Sequence, residues 1–111
     1  MPNSLPSLLD ALDDPNHLVR WRAADVLVEV EREETVPGLL NALEHNRDSN
    51  VRWRVAKALG QLGSKAAVPD LLNALKDRSS FVRESVVEAL GQLGSEAAIP
   101  YLLNVLKGDP S

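Results

Sequence analysis

The stretch GQLGSKAAVPDLLNALK, Gly60–Lys76, returns almost unchanged as GQLGSEAAIPYLLNVLK, Gly91–Lys107. A tandem copy at a spacing of 31 residues decides the fold, because a unit this short cannot bury a core alone and has to stack on its neighbours. Outward from this pair the same period reaches most of the chain. Leu5-Pro6, Val36-Pro37, Val68-Pro69 and Ile99-Pro100 recur at spacings of 31, 32 and 31, and Val19-Arg20, Val51-Arg52 and Val82-Arg83 at 32 and 31. The two ladders run in step. The extra residue of the second unit falls between Leu43 and Val51, within EHNRDSN, where length variation is expected in a loop.

Each unit reads as two helices. The first opens at Pro37, Pro69 or Pro100, where the missing N–H costs nothing and φ is already helical. Its leucines, Leu39, Leu40 and Leu43 and then Leu71, Leu72 and Leu75, form an apolar stripe. The second helix follows polar caps, Asp14 before Pro15, Asp48 to Asn50, and Asp77 to Ser80. It closes at Gly63 and Gly94, placed for a left-handed C′ residue. At about 100° per residue, Val51, Val55, Leu59 and Leu62 share one narrow sector, the expected core face, and Val19 and Val82 are assigned to the same role. Gly60 and Gly91 lie inside this helix, where glycine costs about 1 kcal/mol relative to alanine. Close approach of the neighbouring helix is the expected compensation, and unit one carries Val28 instead. The reading is one all-α domain over residues 1–111, with repeats at about 4–34, 35–66 and 67–97 and a terminal helix at 98–107.

The residues VPxLLNALxD followed by VRxxxAxALGQLGS resemble HEAT-like repeats, in the short form named after phycobilisome lyases. The resemblance covers about three and a half units. It implies an α-solenoid, a right-handed superhelix of stacked helical hairpins whose second helices line the concave face. Unit one departs from the pattern, since VEVEREET replaces GQLGSKAA and both glycines are missing, so its second helix is free to end differently. Functions on such repeats range over bilin lyase and chaperone subunits, signalling scaffolds, di-iron hydroxylases and alkylation-repair glycosylases. Fold does not choose among them, so the residues must.

Composition removes several classes. Apolar residues at 44% and charged residues at 25% are ordinary globular values. Cysteine is absent, which excludes disulfides, thiolate metal sites and a Cys nucleophile. The opening MPNSLPSLLDALDD has no basic segment before an apolar run, and no stretch approaches the ~20 apolar residues that span a bilayer. A cytoplasmic protein without membrane contact is expected.

Metal, enzyme and nucleic-acid chemistries fit poorly. The hydroxylase-like pattern uses paired His-Glu dipeptides, whereas His17 precedes Leu18 and His45 precedes Asn46. The acidic run Glu29, Glu31, Glu33 and Glu34 is interrupted by Arg32 and fits a solvated turn. No GxSxG elbow or P-loop spacing occurs. No catalytic residue, metal or cofactor is therefore expected. The tetrapeptide VRWR at Val19–Arg22 and Val51–Arg54 offers guanidinium and indole groups for phosphates and bases. Against nucleic acid stand the net charge of −4, and Glu84 and Ser85 at the positions of Trp and Arg in unit three.

Within VRWR the residues separate by role. Arg20, Arg52 and Arg83 recur in all three units and suit a structural ladder to Asp14, Asp48 or Asp77, in the same or the adjacent unit. Trp53 is rotated about 200° from Val51 and points away from the core. The expected binding strip is Leu18, Trp21, Arg22 and Asp25 in unit one, Asn50, Trp53, Arg54 and Lys57 in unit two, and Phe81, Glu84, Ser85 and Glu88 in unit three. Leu18, Trp21, Trp53 and Phe81 would make an apolar ridge, basic toward one end and acidic toward the other. The competing reading folds each indole over Ala24 or Ala56 to cover a seam between repeats.

The expected function is a protein-binding scaffold. A subunit of a bilin lyase-type assembly is the alternative, and nucleic acid is disfavoured. The terminal helix AIPYLLNVL is apolar on more than one side, which predicts continuation in a longer array or self-association through that end.

Overall fold

The computed structural model describes residues 5–94 together with 96, 99, 100 and 103. Among the described residues there is no strand, and six helices follow one another: α1 Leu5–Asp10, α2 His17–Val30, α3 Val36–His45, α4 Ser49–Leu62, α5 Val68–Ala74 and α6 Ser80–Leu93. A 3₁₀ turn, Ala11–Asp13, extends α1, and two more, Glu33–Thr35 and Lys65–Ala67, lead into α3 and α5. Helices alternate between a layer of first helices and a layer of second helices, with α4 packed between α2 and α6. This is the stacked-hairpin solenoid. Most of the terminal helix expected at 98–107 lies outside the described residues.

The helix starts repeat one device. Asn16, Asp48 and Ser79 are the N-caps, accepting from the backbone N–H of Leu18, Asn50 and Val82. Two residues before each cap an Asx turn aims the chain. The Oδ1 atoms of Asp14, Asn46 and Asp77 each accept the N–H of the cap residue at 2.9 Å. The cap of α2 is therefore Asn16 rather than Asp14, which sets the turn. The extra residue of unit two is also not in the loop. Asn46 follows Val36 by ten residues and Asp77 follows Val68 by nine, while the three-residue turns Asn46–Asp48 and Asp77–Ser79 match, so the insertion lengthens α3.

Val51, Val55 and Leu59 are buried, as are Leu39, Leu43 and Leu71. Leu62, at the end of α4, is half-buried against them. Val19 departs from the expectation. It is 39% exposed, whereas Val51 and Val82 are each 0% exposed. Val51 and Val82 have a preceding unit in front of them, and Val19 stands at the front of the stack.

Gly60 shows why α4 and α6 meet so closely. A Cβ built there would lie 2.8 Å from Ala89 Cα and 2.9 Å from its Cβ, and would also strike Gln92 Oε1. Steric room thus offsets the propensity cost of the glycine. At the equivalent position of α2 stands Val28, and α2 packs less intimately on α4 than α6 does.

All three second helices end in the left-handed region. Gly63 and Gly94 take φ of 70° and 62°, and Glu31 takes φ of 51° at the same step of unit one. Unit one thus keeps the left-handed step but ends differently, with a Cβ-bearing residue in the strained position, whereas Gly63 and Gly94 donate their N–H to the Gly60 and Gly91 carbonyls. Glu31→Gly is expected to raise stability by about 1 kcal/mol, read as a shift of the urea midpoint at constant slope.

Candidate docking surface

The arginine ladder comes first, because it holds the turns at one end of the second helices. Arg20 reaches into unit two, its Nε and Nη2 both 2.9 Å from Asp48 Oδ2, while its Nη1 donates to the Asp14 carbonyl at 2.8 Å. Arg52 reaches into unit three as a bidentate pair with Asp77, at 2.8 and 3.0 Å, and its Nη1 donates to the Asn46 carbonyl at 2.8 Å. Arg83 donates to the Asp77 carbonyl at 2.6 Å. Each arginine thus ties the turn before its own helix, and two of them tie the next unit as well. Fork geometry of this kind suits arginine and not lysine.

Both acidic partners are held below the ordinary aspartate range. Burial alone raises the Asp48 carboxyl, but the Trp21 indole N–H, the Asn50 backbone N–H and Arg20 together outweigh it. For Asp77, burial is likewise outweighed by Arg52, the Ser79 backbone N–H and, more weakly, Arg78.

Around Arg54 the two VRWR segments meet. Its guanidinium carbon lies 4.3 Å from the Trp53 ring centroid and 5.7 Å from that of Trp21, both within cation–π reach. Nε donates to Asp25 Oδ1 at 2.9 Å and Nη1 to the Asn50 carbonyl at 2.9 Å. Trp21 donates its indole N–H to Asp48 Oδ2 at 2.8 Å, and Trp53 donates to Asn50 Oδ1 at 3.2 Å. His17 completes the cluster, its ring centroid 4.7 Å from that of Trp21.

The structure therefore brings Trp21, Asp25, Asn50, Trp53 and Arg54 together on α2 and α4 and separates the rest of the expected strip. Both indoles are half-buried, so they neither stand free nor disappear beneath neighbouring turns. Leu18 and Arg22 turn instead to the front edge of α2, where they line an apolar groove with Leu8, Ala11, Val19, Ala23 and Val26. Phe81 is 69% exposed on α6, and Lys57, Glu84 and Glu88 are also exposed. Ser85 is buried and leaves the strip, a correction with a simple cause. Its counterparts Arg22 and Arg54 are long enough to emerge from the edge of the helix seam, and a serine hydroxyl is not.

Sequence reasoning missed two participants. Asp48, expected as a cap and as a partner of the arginine ladder, also accepts the Trp21 indole N–H and so serves as a hub for Arg20, Trp21 and Asn50. Val26 is 43% exposed where its equivalents Ala58 and Ala89 are each 1% exposed, a contrast that alignment of the three second helices could have raised. Among the described residues no three His, Asp or Glu side chains converge to hold a metal, and no helix is long and apolar enough to cross a membrane.

Stacked helical hairpins carrying a ladder of inter-unit arginines define an all-α repeat protein. The chain belongs to the HEAT repeats, whose family model matches residues 5–72 and 36–111. Among solved structures it is similar to a chain in the complex of CpcE and CpcF of phycocyanin lyase from Nostoc sp. PCC7120, with 30% identity and a TM-score of 0.83 over 97% of its own length. It spans 44% of the length of that chain. No curated protein matches it.

Proposed function

We propose that this chain is a non-catalytic docking scaffold that receives a partner protein on the face of its second helices, centred on Arg54. The observation carrying this reading is that Arg54 is fixed between two indoles by Asp25 and Asn50, with its rotamer chosen before any partner arrives. Trp and Arg dominate binding hot spots, and immobilising them beforehand removes about 0.5–1.5 kcal/mol of ordering cost per side chain. The closer packing of second helices than of first helices supports their place on the inner curve. Phe81 and the acidic Glu84 and Glu88 extend the surface toward unit three, and Lys57 leaves a positive patch beside Trp53. The similar structure, a complex of two lyase proteins, supports a protein partner.

Capture of partners from the native host tests this reading. Trp53→Ala is expected to weaken capture at least tenfold, at an unchanged helical circular dichroism signal, because the indole covers Arg54 while bonding only within its own helix. Undiminished capture would remove the proposal.

A second reading is a subunit of a bilin lyase-type assembly, favoured by that same structural similarity. It predicts visible absorbance from a linear tetrapyrrole that co-elutes with the chain or its complex. Nucleic acid is opposed by the net charge of −4 and by the pairing of Arg54 with Asp25.

A further inference from the structure

We infer that the front of α2 is a socket for the back of α6 in a second copy, so that chains stack head to tail in the register that already joins their own units. The socket is the apolar groove of about 400 Å³ at the front of the stack, with Leu18 56%, Val19 39% and Val26 43% exposed. In the later units the positions of Val19 and Val26 are sealed by the helix in front, while that of Leu18 stays open at Phe81. Val51 and Val82 are each 0% exposed, and Ala58 and Ala89 each 1%.

Three contacts define how one second helix covers the next. Gly60 admits Ala89, Asp25 pairs with Arg54 at 2.9 Å, and Arg52 forks onto Asp77. Whatever covers α2 in this register needs a small residue, an acid and an arginine at the places of Gly60, Asp25 and Arg52. In α4 the acid position is Lys57, and in α2 the small position is Val28. Helix α6 meets all three requirements, with Gly91, Glu88 and Arg83.

These three α6 positions are also uncovered. A Cβ at Gly91 meets nothing within 4 Å, Glu88 is exposed, and Arg83 pairs with no carboxylate among the described residues. Their mates on the incoming copy are Val26 over Gly91, Arg22 against Glu88, and Asp14 for Arg83. Asp14 already forms the Asx turn that Asp77 forms when it accepts Arg52. The contact is heterologous, so it propagates rather than closing at a dimer.

Sedimentation velocity over a concentration series from micromolar to millimolar reads the result. The wild-type chain is expected to show a rising weight-average mass. Arg22→Glu alone and Glu88→Arg alone should each weaken association at least about tenfold by placing like charges opposite one another. Both substitutions in one chain should restore it, as should mixing the two single variants. Arg22 and Glu88 are exposed, so both variants are expected to fold, which circular dichroism checks. A wild-type chain that stays monomeric throughout, or association that ignores the charge reversals, overturns the inference.

Discussion

Gly60→Leu will destabilise the protein by about 3 kcal/mol, whereas Gly91→Ala, in the same GQLG sequence one unit later, will stabilise it by about 1 kcal/mol. The opposite signs follow from what stands in front of each glycine. Any Cβ at Gly60 collides with the backbone of α6 at Ala89, and backbone cannot rotate away as a side chain does. Leucine adds three further carbons to that collision. At Gly91 the neighbouring space is open, so only the helix propensity of alanine is felt. For a domain of this size each kcal/mol moves the melting temperature by roughly 4–8 °C, so thermal scans of the two variants should diverge from wild type in opposite directions. Equal shifts of one sign would mean that the close approach of α4 and α6 is not what the glycine serves.

The second large effect belongs to Arg52. Its side chain and that of Asp77 are only 10% and 11% exposed, and removing one partner of such a pair strands the other charge at a cost of about 3 kcal/mol. Arg52→Met keeps the bulk and removes the charge, and it also releases the Asn46 carbonyl. Arg20→Met should cost less, because the Arg20–Asp48 pair is 22% and 15% exposed and water screens it. Acid titration gives an independent check. Asp77 and Asp48 have folded-state pKa values below their unfolded ones, so their contribution is complete above about pH 3.9, the ordinary aspartate value, and disappears as the pH falls through the lower folded values. Urea midpoints measured from pH 7 down to 3 should fall at the acid end for the wild type. The fall should be shallower for Arg52→Met, in which the largest support of the Asp77 anion is gone.

The period, the hairpins, the caps of α4 and α6 and the role of Gly60 were legible because they depend on local chemistry repeated at fixed spacing. The arginine ladder was legible for the same reason, although its geometry, with one bond inside the unit and one across, required coordinates. What failed depended on neighbours. Val19 carries the same local signal as Val51, yet exposure is decided by whether another unit stands in front. A helical wheel points Trp53 away from the core, but direction does not fix where a large ring comes to rest: both indoles are half-buried against the core cluster, with the Arg54 guanidinium over them. Ser85 shared its angle with Arg54 and not its length. Length variation is expected in a loop, whereas Asn46 anchors the turn so firmly that the extra residue of unit two enters α3.

Valine at position 28, where later units have glycine, makes the first seam of the stack looser than the second. In a linear array the cooperativity of opening depends on each nearest-neighbour interface, so the weakest seam sets where the chain first comes apart. Deuterium should accordingly enter the amides of α2 well before those of α4 and α6, with unit one peeling away while the remainder stays closed.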